Sequence, residues 1–161
     1  MGDETGDVVT EKYSSPSDLS RVFPNLKKNK KSLEVTSPID QFYNCVAWAM
    51  EDDQKWWEPS PVNFPLTYWP VAREGYAIEK YELMLASQGY VKCNDGTHVE
   101  GKTKVVLYVG DGGVFTHIAR QTLSPKPGWS SKCGKVSDVW HASPETLEGP
   151  TYGRVWGYFE R

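Results

Sequence analysis

The sequence lacks any apolar run long enough to cross a bilayer, which takes about 20 consecutive apolar residues. It also lacks an excess of charge: 18 basic residues stand against 21 acidic ones, a net charge of −3. A nucleic-acid binder shows a basic excess, at least locally. The one basic cluster, Lys27-Lys28-Asn29-Lys30-Lys31, is short enough to be read as a solvated loop. Neither nucleic acid nor membrane is therefore expected as a partner. The acidic opening Met1-Gly2-Asp3-Glu4-Thr5-Gly6-Asp7 lacks the basic and apolar parts of a secretory signal. That predicts a cytoplasmic protein, or an effector delivered elsewhere. Cysteine is scarce, at positions 45, 93 and 133. An odd count cannot close completely into intramolecular disulfides, and the spacing is unlike a zinc site. The expectation is a reducing compartment, at least one free thiol, no metal and no organic cofactor. In an exported protein, Cys93 paired with Cys133 and Cys45 left free would be the arrangement to find.

What is present is enough for one packed unit. The chain has 161 residues, of which 39% are hydrophobic and 13% aromatic, a balance that argues against a disordered chain. Residues 1–16 are expected to form a flexible tail and residues 17–161 a single, monomeric domain. A helical turn over Ser17–Phe23 should stop at Pro24, with a short strand at Leu33-Glu34-Val35. Prolines at 59, 61, 65 and 70 make the aromatic stretch 54–73 irregular. A helix is predicted over about 74–88, with Ile78, Tyr81, Met84 and Leu85 on one face and Gly89 as its stop. Lys104–Val109 reads as a strand, Asp111-Gly112-Gly113 as a turn, and Val114–Thr122 as the partner strand. Trp129–Cys133 and Tyr152–Phe159 read as further strands, with one helical turn over Ser143–Gly149. Helices followed by an antiparallel meander predict an α+β domain whose N-terminal helices pack on one face of the sheet.

The chemical potential concentrates in Asn44-Cys45-Val46-Ala47-Trp48-Ala49 and Val114-Phe115-Thr116-His117-Ile118-Ala119. A cysteine at a helix start and a histidine on a strand are the two halves of a thiol nucleophile and its base. The helix has two possible starts. Ser37-Pro38-Ile39-Asp40 would bury Cys45 in mid-helix, whereas Asn44 as N-cap would put Cys45 in the first turn. There the helix dipole and a nearby imidazolium would lower the thiol pKa; the alternative is a buried cysteine serving as a small apolar residue. On a period-two strand Phe115, His117, Ala119 and Gln121 share one face, opposite Ile118 and Arg120. Acyl transfer needs an oxyanion donor, and Gln41 lies four residues before Cys45. The group orienting His117 would come from Ser130, Ser131, Asp138 or His141, with Asp138 and Ser131 ranked first. Lys132 would bind a substrate carboxylate. Trp48 and Trp69 would wall a substrate cleft, unless the aromatic-proline segment only covers a core.

This motif order resembles the papain-like cysteine hydrolases, and within them the compact NlpC/P60 and amidase branch. The set Asn44–Ala49, Tyr68-Trp69-Pro70, Thr116–Gln121, Trp129–Lys132 and Tyr152–Val155 is also similar to an uncharacterised family of small bacterial domains. The papain-like resemblance implies Cys45 as nucleophile, His117 as base and Gln41 as oxyanion donor, acting on a peptide or other amide. The Asp-Cys-Ser-Gly type of opening is absent. A cysteine-dependent hydrolase or acyltransferase is the leading expectation, and a non-catalytic binding, adaptor or toxin-associated module keeping the fold is the alternative.

Overall fold

The computed structural model describes residues 16–38, 40–124, 126–133 and 137–161. Its α-helices are α1 (Pro16–Val22), α2 (Cys45–Ala49) and α3 (Ile78–Ser87). Its strands are β1 (Leu33–Val35), β2 (Val91–Cys93), β3 (Lys104–Val109), β4 (Phe115–Thr122), β5 (Gly128–Lys132), β6 (Asp138–His141) and β7 (Arg154–Glu160). They form one seven-stranded sheet, in the order β1-β6-β5-β4-β3-β7-β2, and every pairing between these strands is antiparallel.

The β-branched run of β3 puts it at the centre. All six of its residues are buried, so the strand needs cover on both faces. Its side chains alternate accordingly. Val105, Leu107 and Val109 enter one hydrophobic cluster, with Cys45, Val46 and Ala49 of α2 and Ile78, Tyr81, Met84 and Leu85 of α3. Val106 and Tyr108 enter the other, with Leu19, Phe23, Leu26 and Leu147.

The expected papain-like or NlpC/P60-like α+β fold does not form. The three helices have only 7, 5 and 10 residues, and they do not stack together on one side of the sheet. Prolines keep the aromatic stretch out of α-helix, leaving one 3-10 turn at Pro61–Asn63, and α1 covers the face opposite α2 and α3. Strands β3 to β6 do run as an antiparallel meander, but the sheet does not continue as one, because β7 enters between β3 and β2 and β1 pairs with β6. The sequence reading passed over β2 and β6, whose 3 and 4 residues are too few to show a period. The expected tail lies outside the described residues except for Pro16, which opens α1.

The period-two reading of β4 also needs correcting. Tyr108 pairs with His117 but Val109 pairs with Phe115, so Thr116 is an extra residue and the alternation slips there. Phe115 turns to the α3 side, where its ring stacks on Tyr81 with centroids 3.6 Å apart. His117 turns to the other side.

Candidate functional site

Asn44 settles where α2 begins. It has extended backbone, and its side chain accepts from the Ala47 N–H at 3.1 Å. The same amide accepts from the Trp57 N–H at 3.2 Å and donates to the Trp57 carbonyl at 2.7 Å. Cys45 is thus the first helical residue, as an Asn44 cap requires. It is only 3% exposed and belongs to the cluster under α2 and α3.

His117 is on the opposite face of the sheet. It is 1% exposed, stacks on Tyr152 and lies beside Tyr108, both members of the other cluster. Burial drives its pKa well below the ordinary value, and neighbouring His141 pushes the same way. The thiol and the imidazole are therefore separated by the sheet. Ser131 lies on the His117 side but is bound elsewhere: its hydroxyl is 2.8 Å from His141 Nε2. His141 Nδ1 is 2.9 Å from the Ser143 carbonyl. A carbonyl only accepts, so Nδ1 carries the proton and Nε2 accepts from Ser131. Burial lowers the His141 pKa to about 4.

The other candidates divide in the same way. Gln41 is exposed and borders a surface recess with Phe42, Trp56 and Leu66. Trp69 is core, set edge-on against Tyr81 with centroids 5.1 Å apart. Trp48, Lys132 and Asp138 do gather on the Cys45 face. The Tyr43 hydroxyl lies 3.1 Å from each Asp138 carboxylate oxygen. Lys132 Nζ sits 4.9 Å over the Tyr43 ring. Burial raises the Asp138 pKa, opposed by the Tyr43 and Ser37 hydroxyls and by Lys132 and Arg120. Burial lowers that of Lys132, opposed first by Asp138. Desolvation thus outweighs attraction for both.

Outward from this cluster lies a recess of about 260 Å³ lined by Thr36, Trp48, Arg120, Thr122, Ser124, Ser130, Asp138 and Trp140. The Trp48 indole N–H donates to Ser130 Oγ at 2.9 Å. One face of Trp48 stacks on Tyr43 with centroids 5.5 Å apart. The Arg120 guanidinium lies 4.0 Å over the Trp48 ring. Such a site offers flat aromatic walls, a planar cation and a carboxylate, the mixture that fixes a polar ligand.

Arg120, Tyr43 and Trp140 are the residues that sequence reasoning missed. The available signal was an arginine inside an otherwise apolar strand run, since a half-buried cation needs a partner. None of the three cysteines is joined in a disulfide. Among the described residues no group of three His, Cys, Asp or Glu could hold a metal ion, and no helix is long and apolar enough to cross a membrane.

No curated protein and no solved structure is similar to this chain. Residues 34–160 match the family model described as a domain of unknown function, DUF7689. That stretch runs from within β1 to the end of β7 and takes in all but the first residue of the sheet and the Trp48–Arg120 recess, so the chain belongs to the DUF7689 family.

Proposed function

We propose that this domain is a non-catalytic binding module whose working surface is the recess around Trp48, Arg120 and Asp138. The observation that carries this reading is the separation of Cys45 and His117 onto opposite faces of the sheet, each sealed in packing. A nucleophile needs its base within hydrogen-bond reach and an approach for substrate. The surface supports the reading as well. Phe42 and Leu66 are 78% and 87% exposed and border one recess of about 400 Å³ with Trp56 and Tyr68. Apolar groups gathered in water mark an interaction surface or a ligand-binding groove.

The test is alkylation of the native protein with iodoacetamide near pH 6, with each adduct mapped. Cys93 is the accessible thiol and should react first, with Cys45 and Cys133 modified only after unfolding. Cys45 reacting faster than Cys93 would overturn the binding reading and restore a thiol enzyme.

A further inference from the structure

The Trp48 recess does not end at Arg120. A second hollow, of about 350 Å³, shares Arg120, Thr122 and Ser124 with it and continues toward Lys102, Lys104 and His98. Arg120 is the ridge between the two.

The state of that guanidinium is unusual. It lies 4.0 Å over the Trp48 ring, and Trp48 is itself held by the Tyr43 ring and by Ser130. Yet among the described residues its one ion-pair partner is Glu51, at 3.9 Å, while Asp138 acts on it from beyond ion-pair distance. Glu51 is 58% exposed at its side chain and also lies 3.6 Å from Arg161. Guanidinium carries five N–H donors in a rigid fork, and no hydrogen bond from the Arg120 side chain is made among the described residues. Ordering the fork in advance removes most of the entropy cost of using it.

Charge decides which hollow the fork serves. In the smaller hollow the facing charge is Asp138, which repels an anion. The larger hollow has Lys102, Lys104 and Arg120 against Glu51. Lys104 is already committed, to Asp95 and Glu160, which leaves Lys102 and Arg120 to face a ligand.

We infer that the larger hollow is an oxyanion site, in which Arg120 grips a carboxylate or a phosphate group through its fork and Lys102 adds a second cation at the rim. The inference deepens the binding reading and rests on it, because it takes this surface to be where the ligand sits.

The experiment is NMR titration of the full chain with inorganic phosphate and, separately, with propionate, at fixed ionic strength. It follows the Arg120 side-chain N–H and the Trp48 indole N–H. Saturable shifts are expected with a dissociation constant on the order of 1–10 mM for so small an anion. Phosphate alone, propionate alone or both saturating each supports the site and names its ligand class. Arg120→Lys keeps the charge but not the fork, and should weaken binding roughly tenfold. Lys102→Gln, at an exposed position, should weaken it several-fold with no change in the protein's other resonances. Arg120→Gln should abolish it; if that variant does not fold, the other two decide. No saturation with either anion up to about 50 mM, a range that reaches millimolar sites, would overturn the inference. So would shifts that persist unchanged in Arg120→Lys and Lys102→Gln. Alkylation reads Cys45 alone, so the two proposals fail separately.

Discussion

The His117 imidazole lies flat against the Tyr152 phenol ring, centroids 4.0 Å apart and planes 10° from parallel. A ring held this way, 1% exposed, is a packing element. Replacing His117 with Ala should destabilise the domain by about 3 kcal/mol, the scale of deleting a buried ring. Urea unfolding measures it. A cost under about 0.5 kcal/mol, the usual size for a surface change, would show the stack to be unimportant.

Acid should destabilise the protein through both buried histidines. In the unfolded chain each takes up a proton near pH 6.5; in the folded state burial pulls His117 well below that and His141 to about 4. Between those values the unfolded state binds more protons, so stability is full above about 6.5 and is lost as pH falls. The His141 shift alone corresponds to roughly 3 kcal/mol. Asp138, raised by burial, works in the opposite sense, its contribution present at low pH and lost as pH rises. The urea midpoint should fall from about pH 7 to pH 4, less so in His141→Gln. A His117 imidazole resonance titrating near 6.5 would refute this account.

Asn44→Ala should cost about 2–4 kcal/mol. It removes a helix cap, worth about 1, and strands the buried Trp57 N–H and carbonyl, at about 1–3. Denaturant unfolding gives the number. A loss of the cap value alone would mean that the Trp57 groups find other partners.

Two glycines with the same backbone sign should respond differently to alanine. Gly153 has φ +75° and its added Cβ would lie 2.1 Å from the Val109 carbonyl oxygen, whereas Gly112, at φ +72°, has open space. Gly112→Ala should cost about 1 kcal/mol, the left-handed penalty alone. Gly153→Ala should cost well above that, because β3 or the Gly149–Gly153 bridge must shift. Thermal melts of the two variants side by side decide; equal losses would contradict the clash.

Phe42→Ser and Leu66→Ser should leave stability within about 0.5 kcal/mol of the parent, since both side chains stand in water. Losses above about 2 kcal/mol would make them core residues and withdraw the apolar recess as a surface for partners.

The central elements were legible in the sequence where the pattern was long. β3 and the four-residue stripe of α3 match their expected positions because a six-residue run with four β-branched or aromatic members and three helical turns leave little ambiguity. Asn44 was one of two acceptable caps. What chose it was Trp57, thirteen residues away, which no local rule weighs. The facing of His117 was not legible, because one extra residue at Thr116 reverses every side chain beyond it. The Tyr43–Trp48–Arg120 stack was hidden for a related reason: its members come from a loop, a helix and a strand that only the finished sheet brings together.

The position of β7 bears on how this chain is made. Residues 154–160 fill the slot between β3 and β2, yet they leave the ribosome after every other strand. At about 5–20 residues per second of synthesis, the flank of β3 waits several seconds with its amides and carbonyls unpaired. A nascent chain in that interval presents an open, apolar strand to its surroundings. Chaperone attendance on this domain should therefore peak after β3 emerges and end abruptly once Arg154–Glu160 does.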